Sequence, residues 1–204
     1  MRYPPTPDIS LVEAARWRNR RPIRGSAPPL MAAACLLGWA LLLCGCQDDG
    51  GGDGSCKQPL SAPIPSCAPV VPTSTGDPYV DCVARINQLR SECQCLPPLE
   101  RWTEAEACAD AQAQYDFEED RYHAGFTDNI CSPRGSAQNE CPGWGSVSQV
   151  VSGCLQMMWD EGPGEPYSEH GHYINMTNPS YTKVACGFYT TPGGAVWAVQ
   201  NFSP

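Results

Sequence analysis

Apolar positions recur along this chain with two different spacings, and each spacing predicts a different kind of element. From Tyr79 onward, Val80, Val83, Ile86, Asn87 and Arg90 fall on one helical stripe. Cys82, Ile86, Leu89 and Cys93 fall on a second, so a helix covered on two faces is predicted, ended by Pro97-Pro98. Leu99 and Trp102 make a short extended connection. Thr103 to Glu106 form a capping-box pattern that opens an Ala-rich helix (Ala105, Ala107, Ala109, Ala111, Ala113) running to about Glu118. Thr127 to Gly145, rich in Gly and Pro, reads as a loop. Ser146 and Gln149 form a second capping pair. Val147, Val150, Val151, Cys154, Leu155, Met158 and Trp159 then trace the cleanest amphipathic helix in the chain, stopped by Gly162-Pro163-Gly164. At the C-terminus Val184, Cys186 and Phe188, and then Val196, Ala198, Gln200 and Phe202, alternate with their neighbours about a turn at Thr190 to Gly194. That pattern predicts two antiparallel strands.

The N-terminal part follows a different pattern. Arg16, Arg18, Arg20, Arg21 and Arg24 precede an apolar run from Leu30 to Leu43, the length of a signal-peptide core and short for a bilayer span. The run ends in Leu43-Cys44-Gly45-Cys46, which resembles the lipobox of bacterial lipoproteins and implies lipidation of Cys46. After it comes an acidic, Gly-rich stretch of the flexible-tether type. The organisation expected is therefore a lipoprotein signal peptide over 1–45, a Gly/Pro/Ser-rich tether over 46–78 and a folded domain over 79–204. Gln47 after the lipidated position favours the outer membrane of a bacterial envelope.

Cysteine usage agrees with export. Ten cysteines follow Cys46, an even number, and no Cys-x-x-Cys pair occurs, so disulfides rather than zinc knuckles are expected. Cys82, Cys93, Cys95, Cys108, Cys131, Cys141, Cys154 and Cys186 are the candidates within the folded domain. Position alone places Cys56 with Cys67 across a small loop, Cys131 with Cys141 as a brace, and Cys154 with Cys186 between helix and sheet. From Cys46 onward seven basic residues face twenty acidic ones, a net charge of −13. Without a basic patch, nucleic acid is excluded as a partner.

Candidate chemistry centres on His170 to Phe188, read HGHYINMTNPSYTKVACGF. If the start is extended, His170 and His172 share a face as a metal pair. Glu161 lies at a helix C-terminus, where a carboxylate faces the negative end of the helix dipole and needs a compensating donor or cation. His123 lies near the end of the Ala-rich helix. Asn175-Met176-Thr177 and Asn201-Phe202-Ser203 match the glycosylation sequon, without significance in a bacterial lipoprotein.

Taken together, Arg85-x-Asn87-x-x-Arg90, Pro97-Pro98-Leu99, the Ala-rich helix, His123, Gln138-Asn139, Glu161 at a helix end, Gly171-His172-Tyr173, Val184-x-Cys186-Gly187-Phe188 and Val196-Trp197-x-Val199-Gln200-Asn201-Phe202 resemble the CAP superfamily. That group comprises the cysteine-rich secretory, antigen 5 and pathogenesis-related proteins, or SCP-like extracellular domains. The resemblance covers roughly Asp81 to Phe202. It implies an α+β fold, a three-layer α-β-α sandwich with a central antiparallel sheet, disulfide-braced. It also implies a cleft with two histidines and two acids, in which His123, Glu161 and His172 match three positions; His170 has no counterpart. The fourth position reads Gln138 where the family has an acid. Two imidazoles and one carboxylate still satisfy a catalytic-type zinc site.

Three functions follow. A lipid-anchored module binding a lipid, sterol or protein, with a divalent cation such as zinc in the cleft, is the first. A His/Glu-dependent hydrolase is the second, weakened because Ser146 reads as a helix cap and Ser168 and Ser180 as loop residues. An envelope structural protein with a vestigial cleft is the third.

Overall fold

Asp77 starts the first helix of the structure, a computed structural model that describes residues 58–204. Its carboxylate accepts the N–H groups of Tyr79 and Val80, and Pro78 takes the first helical position, so α1 spans Pro78–Gln94. The helix closes on Cys95 in the left-handed region (φ 56°). Cys95 N–H bonds Ser91 O and Leu96 N–H bonds Arg90 O, so the left-handed residue closes the last carbonyls of the helix. The expected signal peptide, Cys46 and the start of the expected tether lie outside the described residues. Among the described residues no helix is long and apolar enough to cross a membrane.

Residues 58–77, expected as the end of the tether, pack along α1. Leu60 and Ile64 N–H groups bond the carbonyls of Gln94 and Cys93, Arg85 reaches Pro69 O, and Gln88 reaches Val70 O. A disulfide joins Cys67 to Cys93, correcting the Cys56–Cys67 expectation. This strap has no apolar periodicity because its backbone groups are taken up one at a time, by side chains of α1 and by the carbonyls at its C-terminal end.

The order continues with β1 (Glu100–Arg101), a 3-10 turn (Thr103–Ala105), α2 (Glu106–Glu118), α3 (Ala124–Thr127) and β2 (Ala137–Trp144). Next come α4 (Val147–Gln149), a π-helical turn (Val150–Cys154), α5 (Leu155–Trp159), α6 (Tyr167–Thr177), β3 (Lys183–Thr190) and β4 (Val196–Ser203). The strands form one sheet in the order β1-β3-β4-β2. β2, β3 and β4 are antiparallel, and β1 is parallel to β3 through Glu100↔Lys183 and Arg101↔Val184. The expected antiparallel sheet is thus mixed at one edge.

Alternation along the strands builds the layers. On one face α2 sits directly on the hairpin: Ala109, Ala113, Trp197 and Val199 form a buried cluster, flanked by Phe117, Tyr122 and Tyr189. A Cβ on Gly187 would stand 2.2 Å from the carbonyl carbon of Ala109, so glycine sets this approach. On the other face Cys186 is bridged to Cys82 of α1, and Phe188 meets Tyr79 edge-on. The result is an α-β-α arrangement.

Arg85, Asn87 and Arg90 fasten α1 to its surroundings. Both oxygen and nitrogen of the Asn87 amide bond the backbone of Leu99, at 2.7 and 2.8 Å, pinning the chain beyond Pro97-Pro98. Arg90 is fully buried and donates to the carbonyls of Pro97 and Met176; burial pushes its guanidinium down to about 10.

Several expectations are corrected. The capping box at Thr103 does not form, because the Glu106 carboxylate is taken by Arg101, which also bonds Asp77. The loop from Thr127 to Gly145 contains β2, a strand whose buried centre is polar. The stretch holding His170 and His172 is helical, not extended. Cys131 pairs with Cys108 of α2 rather than with Cys141, and Cys154 pairs with Cys141 rather than with Cys186. Once β2 joins the sheet, Cys141 faces the π-helical turn, and Cys131 is left beneath α2. Cys95 is also disulfide-bonded.

Candidate functional site

His123 stands where the chain turns between α2 and α3, in the left-handed region at φ 56°, ψ 20°. Two carboxylates hold this turn. Glu140 Oε2 accepts the His123 N–H at 2.7 Å, and Asp116 Oδ1 accepts the Gly125 N–H at 2.6 Å. Gly125 is required here, since a Cβ would lie 2.9 Å from Gln112 Cα. Burial pushes the Asp116 carboxyl up to about 7, against the downward pull of the Gly125 and Ala124 N–H groups and the Arg121 charge.

The His123 ring meets Gln138: Nδ1 and Oε1 are 2.8 Å apart. Behind Gln138 three side-chain amides close on each other. Gln138 Nε2 donates to Gln112 Oε1 (3.0 Å) and Asn201 Oδ1 (3.1 Å), and Asn201 Nδ2 donates to Gln112 Oε1 (2.7 Å). All three residues are buried. Glu140, two positions along β2 on the same face, brings its Oε2 within 3.6 Å of His123 Nδ1. The charge absent at Gln138 is therefore present beside the ring, supplied by Glu140. In the sequence, the signal for Glu140 is its period-two spacing from Gln138, which places both on one side of a strand.

Glu161 and His172 make a second station. Glu161 follows α5, where its carboxylate needs a donor, and α6 supplies two. His172 Nδ1–H donates to Oε1 at 2.7 Å and the His172 backbone N–H donates to Oε2 at 3.1 Å. Both glutamate oxygens thus bond His172, and together they orient its ring. His170 lies two residues away on α6, about 200° around the helix, so the two histidines form no metal pair. Its Nδ1–H donates to the carbonyls of Glu161 (2.7 Å) and Gly162 (2.9 Å), so it fastens the turn that carries Glu161.

Asn139 joins the stations. It points opposite to Gln138 and Glu140; its Nδ2 donates to His172 O at 3.0 Å and its Oδ1 accepts from Asn175 Nδ2 at 2.9 Å. Trp159 packs edge-on against Tyr173 at 5.2 Å and steadies α6 on α5. Gln112 and Asp116 carried no signal in the sequence, and the structural roles of Asn139, Asn175 and Asn201 were not readable there, because each works through backbone or amide contacts that only the fold creates. Both sequon asparagines, Asn175 and Asn201, are buried.

The sequence-derived candidates fall into two pairs, His123 with Gln138 and Glu161 with His172. Among the described residues no group of three or more His, Cys, Asp or Glu side chains stands where it could hold one metal ion.

A family model described as the cysteine-rich secretory protein family, CAP, matches residues 83–202. Among solved structures, BmVAL-1 is similar at 17% identity over 68% of this chain and 81% of its own, with a TM-score of 0.46. Na-ASP-1 is similar at 16% identity and a TM-score of 0.46 over 72% of this chain, which spans 43% of Na-ASP-1. The Schistosoma mansoni venom allergen-like protein 4 is similar at 15% identity over 65% of this chain and 90% of its own, with a TM-score of 0.41. No curated protein matches the chain.

Proposed function

The chain belongs to the CAP, or cysteine-rich secretory protein, family, and from that premise we propose that it is an exported, lipid-anchored binding module whose His123 and His172 stations recognise a ligand. The reading is carried by one observation. The carboxylates of Glu140 and Glu161 both accept the backbone N–H of the histidine they serve, so each imidazole is a fixed recognition group on a rigid frame. The disulfides between neighbouring elements suit a protein that works outside the cell, and the lipobox-like Leu43-Cys44-Gly45-Cys46 supports attachment to a bacterial envelope through Cys46.

A divalent cation such as zinc is the first ligand to test. In this reading His123 and His172 would supply the imidazole donors, and Glu161, bonded to His172 Nδ1, would orient that ring. Calorimetric titration of the full chain with zinc ion should give heat that a His123→Ala, His172→Ala double variant loses. Absence of heat removes the cation and leaves lipid, sterol or protein ligands, for which sterol-containing and sterol-free vesicles are the next probes. Lipid anchoring is read separately, from labelled palmitate incorporated by the wild-type chain and not by Cys46→Ala.

A hydrolase is the second reading, favoured by the 2.7 Å His172–Glu161 pair, which has the form of a base and its orienter. Its difficulty is the nucleophile: Ser146 Oγ accepts the Gln149 N–H as a helix cap, and Ser168 and Ser180 are exposed. Peptidase or esterase turnover lost in His172→Ala would establish it.

A further inference from the structure

We propose that Gln138 is the positioning residue of His123 and that it fixes the imidazole in the Nδ1–H tautomer, in place of the acid that the family resemblance leads one to expect there. The inference rests on hydrogen-bond direction and holds whether or not the site takes a cation.

An amide side chain can present either its oxygen or its nitrogen to a histidine. At Gln138 the choice is made from behind. Gln138 Nε2 faces two oxygens, Gln112 Oε1 and Asn201 Oδ1, and Gln112 Oε1 also receives Asn201 Nδ2. Turning Gln138 alone would set its oxygen against those two oxygens inside a buried cluster. With Nε2 held there, Oε1 is the atom that meets His123 Nδ1 at 2.8 Å, and an oxygen requires a proton on that nitrogen.

A reversal of all three amides together would also keep them mutually bonded, and it would demand a lone pair on Nδ1. Glu140 decides against it. Its Oε2 lies 3.6 Å from Nδ1 and is held in place by the His123 N–H, so a lone pair on Nδ1 would face a carboxylate oxygen. A proton on Nδ1 is favoured by both neighbours. The lone pair then resides on Nε2, and because Gln138 is neutral its hydrogen bond orients the ring without adding the charge that Glu161 brings to His172.

The chain has three histidines, which makes the test direct. Two-bond nitrogen–proton correlation spectra of the metal-free, ¹⁵N-labelled full chain at alkaline pH, assigned with His170→Asn and His172→Gln, report each tautomer. Wild-type His123 should be protonated at Nδ1 with a pyridine-like Nε2; a majority Nε2–H form would overturn the proposal without any variant. Gln138→Leu, which removes the acceptor at 2.8 Å and leaves only Glu140 at 3.6 Å, should add a resolvable Nε2–H population at His123 while His172 is unchanged. Retention of a pure Nδ1–H form in Gln138→Leu would overturn the role of Gln138 and transfer it to Glu140.

Discussion

The two histidine stations are built from opposite directions. His123 hangs from the interior: Gln112, Asp116, Gln138, Glu140 and Asn201 behind it are all buried, and its ring partner is a neutral amide. His172 is held from a helix end, and its ring partner is a largely buried carboxylate that the chain offers from the turn after α5. The two imidazoles are therefore held by different means, a buried amide and carboxylate cluster behind His123 and a single carboxylate at His172, and the His123 side chain is the more exposed, 29% against 11%. Perturbing the first should register chiefly as lost stability, and perturbing the second chiefly as lost binding.

The largest expected effect is the pH dependence of the first station. Asp116 rises from an unfolded value near 3.8 to about 7, so the folded state holds its proton more tightly than the unfolded one. Its contribution is fully present below the unfolded pKa and is lost as pH rises toward 7. Three units correspond to on the order of 4 kcal/mol. Chemical denaturation of wild type should show stability falling across that window, with Asp116→Asn flattening the profile. A wild-type profile as flat as the variant's would contradict the interior account of His123.

Next in size is removal of the disulfides that brace each station. Cys108–Cys131 ties α2 to the segment before β2, and Cys141–Cys154 ties β2 to the π-helical turn ahead of Glu161. Each pair of Ala substitutions should cost about 3 kcal/mol in denaturant. Only loss of Cys141–Cys154 should disturb the His172 ring signals, and disturbance of both rings by either variant would erase the distinction between stations. A smaller effect is Gln112→Leu, which strips the shared acceptor from Gln138 and Asn201 and should destabilise by about 2 kcal/mol. Its counterpart is Glu161→Gln. If zinc binds, affinity should fall about 10-fold while stability changes by less than about 1 kcal/mol. The smallest is His170→Ala, which releases two carbonyls at a surface turn and should cost about 1 kcal/mol by thermal melting.

Periodicity made the Ala-rich helix, the Val147 to Trp159 helical run and the C-terminal hairpin readable, because apolar or small residues recur along each at its own spacing, even though the Ala-rich helix also buries Gln112 and Asp116 and β4 also buries Gln200 and Asn201. β2 was not readable. Its buried residues Gln138, Asn139 and Glu140 are polar, and Pro142 and Gly143 lie within it, so its burial is stabilised by side-chain bonds to α2, β4 and α6 rather than by an apolar pattern. α6 was hidden in the same way by Asn175, Thr177 and two histidines, residues that favour turns in isolation. Missing β2 carried the disulfide expectations with it, since Cys141 can be assigned a partner only once its strand face is known. At the site, His123, Glu161 and His172 were legible through resemblance. The need of Glu161 for a donor was legible from its place at a helix end. Glu140 and the amide cluster were not, because their roles depend on contacts between residues far apart in the sequence.

The burial of Asn175 and Asn201 bears on how the protein is made. An oligosaccharyltransferase acts on nascent chain, before α6 has met β2 and before β4 has closed the sheet, and at that moment both Asn-x-Ser/Thr sequences are open to it. A glycan added then could not be accommodated where Asn175 bonds Asn139 and Asn201 bonds Gln112. Production through a eukaryotic secretory pathway should accordingly yield retained, misfolded material, whereas an oxidising compartment without that enzyme leaves the chain free to close its disulfides and its polar core together.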